Sequence, residues 1–521
     1  MTITDTSAKG SETSIPEKLE EAIGLEGQQI DVHQNGPTAK PTIAASGDRA
    51  LVLMDLDAGL VGWESDDDPE NPQNWSFAKK WTLMLWVILM CTFSPMSSSM
   101  AAPGTSLTLE EFNLTSRTIG ALMISVFILG YAVGPLFLAP LSELYGRAPI
   151  VNLSCAFFNA FMLGCSFAPN MPSLIIMRLL AGIGGSAVMT ICSAVIGDAF
   201  RVHERAAVSC IVIGTPSLAP VIGPIAGGFT SHYLGWRWAY WVLIMASVPV
   251  NILMFFLMDE SNHPTILQRK TKRLRKELGR DDLRSQLESP LPPREILARS
   301  IVRPMKFLFQ SPIAFLVSLY VSVVYGTLYL LFTSIPDVFQ NTYGFEIQYT
   351  GLAYIGLGLG MFIALGFIMK YNDRIVVRLR DQNNGIFEPE YRLSTTLYYA
   401  PFMPISLLLY GWTAHYQIHY LVPCFSLILY GFGISGIFVP CQTYMVDAFL
   451  STAASAVAAL VCLRSIFGAF LPLVGPLVYE KLGLGWGNTV LAAVTLVVTP
   501  VPWGFMRWGG YVRKRWVVDV E

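Results

Sequence analysis

Apolar stretches of about twenty residues recur along the chain, broken by short polar turns. Twelve such windows run over 81–100, 118–141, 149–168, 171–196, 207–228, 237–257, 312–334, 347–369, 395–412, 420–445, 453–478 and 487–506. A helix of roughly 20 residues covers the ~30 Å of hydrocarbon in a bilayer. Turns such as Ala168-Pro169-Asn170-Met171-Pro172 and Tyr371-Asn372-Asp373 separate the windows. The pattern predicts an all-α membrane protein with twelve spans. An even number places both termini on one side.

Landmarks in this pattern repeat. Asp-Ala-Phe occurs at Asp198 and Asp447, Gly-Pro at Gly223-Pro224 and Gly475-Pro476, and Leu-Gly-Trp at Leu234 and Leu484. The shifts are 249, 252 and 250 residues. A duplicated apolar half marks membrane transporters built from repeats, with the binding site between them. The expected parts are an acidic tail (1–78) without structure, a first six-helix bundle (79–258), a basic linker (259–311), a second bundle (312–508) and a short tail (509–521).

Composition agrees: 53% of residues are hydrophobic and 14% charged, where soluble domains carry about 25% charged residues. The net charge of -2 hides an acidic segment 1–78 at -11 and a remainder at +9. Of 35 Lys and Arg residues, 30 fall in the termini and in alternate loops, twelve of them in 259–308, and only Arg117, Arg237 and Lys481 in the opposite loops. Positive charge collects on the cytoplasmic side, so both termini are expected there. The basic run Arg269–Lys276 reads as a solvated helix or a contact with anionic lipid. Beyond it, Ile296, Leu297, Ile301, Val302, Met305 and Leu308 form an apolar face opposite Arg294, Arg299, Arg303 and Lys306, the mark of an interfacial helix.

The eight cysteines lie in apolar stretches and read as small buried hydrophobes. No CxxC, HExxH or GxxxxGK[ST] occurs, so neither a metal site nor ATP hydrolysis is expected. Nucleic acid is not an expected partner, and the chain is expected to act as a monomer. Asn113-Leu114-Thr115 is a glycosylation sequon in the first outer loop, expected to stay unmodified so close to the bilayer.

Two charges stand alone inside spans. Residues 148–177 and 179–197 carry no charge, and Arg178 sits between them. An arginine there is costly and marks either a functional charge facing a water-accessible cavity or a tie to backbone carbonyls. Arg464, in span eleven, reads as a substrate or gating contact or as a cap on helix ends. Glu143 and Arg147 are spaced to pair across one helical turn. Gly223, Pro224, Gly227 and Gly228 let helices approach closely. Aromatic residues including Tyr131, Tyr325 and Tyr329 are candidates for a permissive apolar pocket. His415 and His419 lie in an outer loop and read as exposed.

Three of these stretches resemble the motifs of the major facilitator superfamily: Glu143–Pro149 its loop 2–3 motif, Arg178–Ala187 its span-four motif, and Gly223–Gly228 its span-five motif. Asp68-Pro-Glu-Asn-Pro-Gln-Asn-Trp75, the run from Gly134 to Arg147, and Leu234-Gly-Trp-Arg-Trp238 resemble the fungal twelve-span drug:proton antiporters. The resemblance runs from about residue 65 to the C-terminus. It implies proton-coupled efflux of a hydrophobic drug, toxin or secondary metabolite by alternating access, driven by the proton gradient without a cofactor. It makes Arg178 the proton-coupling residue, Glu143, Gly146, Arg147, Asp198 and Asp447 a gating network, and Gly223, Pro224, Gly227 and Gly228 the antiporter motif. Here Ala139 stands where the family usually has Gly, Glu143 where it has Asp, and the first span has no acidic residue. The sequence therefore assigns no proton carrier. Export of a cation such as a polyamine, or a receptor with a transporter fold, are the other readings.

Overall fold

The computed structural model describes residues 54–288, 292–449 and 452–516. The tail up to residue 53 lies outside the described residues.

The first half contains α1 (Phe77–Met100), the short α2 (Thr105–Glu111), α3 (Arg117–Tyr145), α4 (Arg147–Ser166), α5 (Met171–Ala199), α6 (Val202–Leu234) and α7 (Trp238–Leu257). A connecting region follows with α8 (His263–Leu278) and α9 (Pro293–Gln310). The second half contains α10 (Pro312–Asn341), a stack of α11 (Ile347–Thr350), α12 (Tyr354–Phe367) and α13 (Asp373–Gln382), then α14 (Thr396–Tyr399), α15 (Phe402–His415), α16 (Leu421–Ala448), α17 (Ala453–Val498) and α18 (Pro500–Arg515). Two short strands, β1 (Leu60–Val61) and β2 (Arg284–Ser285), pair in parallel.

Helix starts follow the sequence signals. Asn170 accepts a hydrogen bond from the Ser173 N–H at 2.9 Å, and Ser311 from that of Ala314 at 3.2 Å. Each satisfies one of the donors left open at a helix N-terminus. Among the described residues, nine helices are long and apolar enough to cross a membrane. The last of these turns back on itself at Gly483, whose φ of +70° only glycine adopts freely. Its second limb, together with α6 and α14–α15, which lie outside those nine, is consistent with the expected twelve crossings. Large apolar side chains stay exposed on the outer surface, such as Phe256 at 76% and Val497 at 77%. They form the surface that lipid covers.

The face of the molecule carrying α8, α9 and both ends of the described chain is called the basic face, and the opposite one the far face. On the basic face the structure departs from expectation in four places. Residues 54–76 are folded rather than structureless: β1 pairs with β2, and Lys270, only 2% exposed, forms ion pairs with Asp68 at 3.0 Å and Glu64 at 3.1 Å. The basic run is therefore not wholly solvated. Its second residue, Lys270, anchors the acidic segment, because a buried ammonium needs carboxylates around it. Burial pushes the Asp68 carboxyl up, but the Glu64 and Glu70 amides and Lys270 outweigh it and hold it below the usual 3.8.

Next, α9 is helical as expected, but Val302 is exposed while Phe307 is buried, edge-on to Phe449 at 5.1 Å. Residues 509–515, expected in the tail, continue α18 because Arg513 pairs with the buried Glu390 at 3.2 Å. Finally, the connecting region does not start as a free linker. Glu260 accepts from the Arg147 and Asn262 amides at 2.8 and 2.9 Å, and Asn262 Nδ2 donates to the Ser142 and Glu143 carbonyls. Cys91, Cys155, Cys165, Cys192, Cys441 and Cys462 are buried and free, as expected for small hydrophobes, and Cys424 is half-buried.

Candidate functional site

The four expected pocket residues converge between the two halves. Tyr131 comes from α3, Tyr325 and Tyr329 from α10, and Arg464 from the first limb of α17. Tyr325 and Tyr329 lie 5.0 Å apart, and Tyr325 stacks on Phe438 of α16 at 6.3 Å. The floor comes from α1. Ser94 Oγ donates to the Gly185 carbonyl at 2.9 Å, so the Tyr131 hydroxyl 2.5 Å away is the donor to Ser94. Ser98 Oγ likewise donates to the Pro95 carbonyl at 2.6 Å and accepts from the Tyr329 hydroxyl at 3.0 Å. That last bond joins the two halves.

Arg464 stands out here. It is 9% exposed, and its guanidinium lies over the rings of Phe438 at 4.6 Å and Tyr325 at 5.0 Å. Its Nε has no hydrogen-bond partner, and the side chain forms no hydrogen bond or ion pair with a described residue. It does not cap a helix end.

Arg178 is placed differently from the cavity-facing reading. It is fully buried, and it donates to three carbonyls: Ser97 at 2.9 Å, Ser98 at 3.2 Å and Met123 at 3.1 Å. Phe127 and Tyr240 cover it at 5.2 and 5.7 Å. Ser97 and Ser98 lie in the last turn of α1, whose carbonyls have no intrahelical donors. The negative end of a helix dipole also favours a cation there. Arg178 thus ties α1, α3 and α5 together.

The gating residues sit on the basic face as a duplicated clamp. Arg147 pairs with Asp198 at 3.2 Å and donates to Ser142 Oγ at 2.7 Å. In the second half, Arg392 pairs with Asp447 at 2.9 Å and with Asp373 at 2.7 Å. Partial burial works against the Arg392 charge, but the two aspartates outweigh it and raise its pKa above the ordinary value. The repeated Asp-Ala-Phe is therefore one arginine clamp built twice. The expected pairing of Glu143 with Arg147 does not form. Gly146, at φ +107°, breaks the helix between them, and Glu143 points to solvent. A side chain at Gly146 would also strike Glu260.

Sequence reading missed Arg392 because it lies 55 residues before its aspartate, whereas Arg147 lies 51 before its own. Ser94, Ser98, Phe438, Glu260 and Lys270 were missed too. The run Ser97-Ser98-Ser99 in an apolar span was a signal for the second of these.

The antiporter motif closes the far-face half of α6 on two sides. A Cβ at Gly223 would sit 2.6 Å from the Met96 carbonyl, and one at Gly227 would strike that of Met100, both in α1. Pro224 and Gly228 face the other half: the Pro224 carbonyl abuts Gly351, and a Cβ at Gly228 would lie 3.1 Å from the Ile347 and Gln348 carbonyls. Gly475, the repeat partner of Gly223, packs on Leu330 of α10. Nearby, Arg237 and Trp236 bind Glu111 at 2.6 Å each, and Arg237 holds that carboxyl below its usual range. The second Leu-Gly-Trp is not equivalent: there the chain turns at Gly483 rather than at the motif's own Gly485. Asn113 is exposed in the loop between α2 and α3.

Two helical halves, a polar and aromatic cluster between them, and paired clamps on one face define a secondary transporter rather than an enzyme. The family model of the Major Facilitator Superfamily matches residues 87–472, and the chain belongs to that family. It is 44% identical to the MFS-type transporter penM of Penicillium rubens over 88% of this chain and 90% of that one. It is 40% identical to the efflux pump radE of Floropilus chiversii, over 91% of this chain and 90% of that one. The inward-open xylose transporter XylE from E. coli shares the fold, with a TM-score of 0.62 at 12% identity, over 82% of this chain and 96% of that one.

Proposed function

We propose that this chain is a proton-coupled exporter of hydrophobic small molecules, of the drug, toxin or secondary-metabolite class. It works as a monomer in the plasma membrane, with the basic face in the cytoplasm and no cofactor. The central observation is the cluster of Ser94, Ser98, Tyr131, Tyr325, Tyr329, Phe438 and Arg464, to which both halves contribute. Alternating access needs a site at that level, so that each side reaches it in turn as the halves rock. Names among the relatives, such as efflux pump radE, support export.

In this reading the antiporter motif is the far-face gate, and the two arginine clamps and the Asp68–Lys270 latch brace the basic face. Arg178 acts through Ser98, whose carbonyl it holds and whose hydroxyl meets Tyr329 across the interface. An arginine does not release its proton, so Arg178 orders the path rather than carrying the proton. One charge crossing 100 mV supplies about 2.3 kcal/mol, and a tenfold gradient costs about 1.4 kcal/mol. A single proton therefore suffices. An unpaired arginine in the cluster disfavours a polyamine as cargo.

The test is efflux over a compound panel from cells expressing the protein, with and without an uncoupler. Export that the uncoupler abolishes, and that Tyr325→Ala impairs, supports the proposal. Undiminished export with the gradient collapsed would remove the proton coupling. No flux of any compound in reconstituted vesicles would favour the receptor reading.

A further inference from the structure

The two intramembrane arginines provide a comparison within one molecule. Both are at least nine-tenths buried. Arg178 places its N–H groups on three carbonyls, which shows how this fold satisfies an arginine that serves structure. Arg464 has the burial without the partners. Its guanidinium carbon lies over the rings of Phe438 and Tyr325, and its N–H groups make no hydrogen bond to a described residue. The hydroxyls nearby do not fill the gap: those of Tyr131 and Tyr329 donate to Ser94 and Ser98, and neither accepts a hydrogen bond from Arg464.

A buried guanidinium beside aromatic rings, with its N–H groups open, suits an in-plane, two-pronged acceptor. Carboxylates, sulfonates and acidic enols present that geometry. The rings beside it offer stacking surface for a flat apolar body.

We propose that the central site selects amphipathic organic anions: an aromatic or polyunsaturated body carrying one acidic group that docks on Arg464. This rests on the transporter reading and adds the sign of the charge. Neutral and cationic compounds leave the arginine unpaired and are poorer cargo.

The test uses two dyes with one aromatic frame, anilinonaphthalenesulfonate and its uncharged parent phenylnaphthylamine. Saturable binding to the full-length protein in liposomes is measured against protein-free liposomes. Flux of both dyes is followed in the same preparation. The wild type is expected to bind the sulfonate at least tenfold more tightly than the parent. Arg464→Gln should erase that difference, Arg464→Lys should keep part of it, and Phe438→Ala should weaken both dyes. Each variant is first checked for a single symmetric peak in size-exclusion chromatography.

Equal sulfonate binding by Arg464→Gln, a wild-type preference for the neutral dye, or binding of neither dye would overturn the inference. So would displacement of the sulfonate by chloride alone with no organic anion transported, since the site would then hold only an inorganic ion. Sulfonate binding without flux of any compound would leave the anion site standing and sink the transporter. Flux of neutral or cationic compounds without preference for the anion would do the reverse.

Discussion

Replacing Arg178 by methionine separates the tie from the volume it fills. Methionine keeps most of the bulk and loses all the donors, so the packing cost is small. Three hydrogen bonds disappear, to the Ser97, Ser98 and Met123 carbonyls. Hydrogen bonds within membranes are worth about 0.6 kcal/mol on average and up to about 1.7. Three of them give about 2–5 kcal/mol, with the charge of the donor favouring the upper end. At roughly 2 °C per kcal/mol for a long chain, the apparent Tm falls by about 4–10 °C. Arg178→Lys keeps the charge and reaches fewer carbonyls, so it should lie between. The assay is thermal unfolding in detergent followed by size-exclusion chromatography, alongside efflux at a temperature where the variant is folded. Loss of transport in Arg178→Met with an unchanged Tm would refute the structural tie and return the residue to a purely electrostatic role.

Gly227→Ala should impair far-face closure, because the new methyl meets the Met100 carbonyl; unchanged labelling of far-face cysteines would contradict this. Gly146→Ala should cost about 1–3 kcal/mol through its positive φ, with further loss from the collision with Glu260, read as a lower Tm. Arg147→Gln and Arg392→Gln should each shift opening of the basic face by about 1–2 kcal/mol, or roughly 5- to 30-fold, read as faster cysteine modification there. If only one of them did so, the clamps would not be functional equivalents.

Asp68 has a depressed pKa, so its ionised form stabilises the latch fully above the ordinary 3.8 and loses that effect as pH falls through its lower folded value. Protease protection of residues 54–76 should therefore persist at pH 5; loss of it there would contradict the assignment.

The spans were legible because lipid imposes long apolar runs, and Arg178, Arg464 and the tyrosines because a charge or cluster in such a run is conspicuous. The tie of Arg178 to backbone carbonyls was one of two readings the sequence left open, and the pattern could not choose, since satisfying a carbonyl leaves no trace in the partner residues. Arg392 escaped because it lies 55 residues before its aspartate, while Arg147 lies 51 before its own. The Leu-Gly-Trp repeat misled in the opposite sense: equal letters recur while the turn moved to Gly483. The acidic segment looked structureless since its partners, above all Lys270, lie about 200 residues away.

The bonds of Glu260 and Asn262 to the α3–α4 turn, and of β1 and Asp68 to β2 and Lys270, bear on how the molecule could be divided. A cut at residue 258, where the first apolar half ends, would strand α8 on the wrong fragment. Two genes split after Glu288 would keep every one of these bonds within the first polypeptide. Reassembly of an active protein from co-expressed fragments should therefore succeed at the later cut and fail at the earlier one.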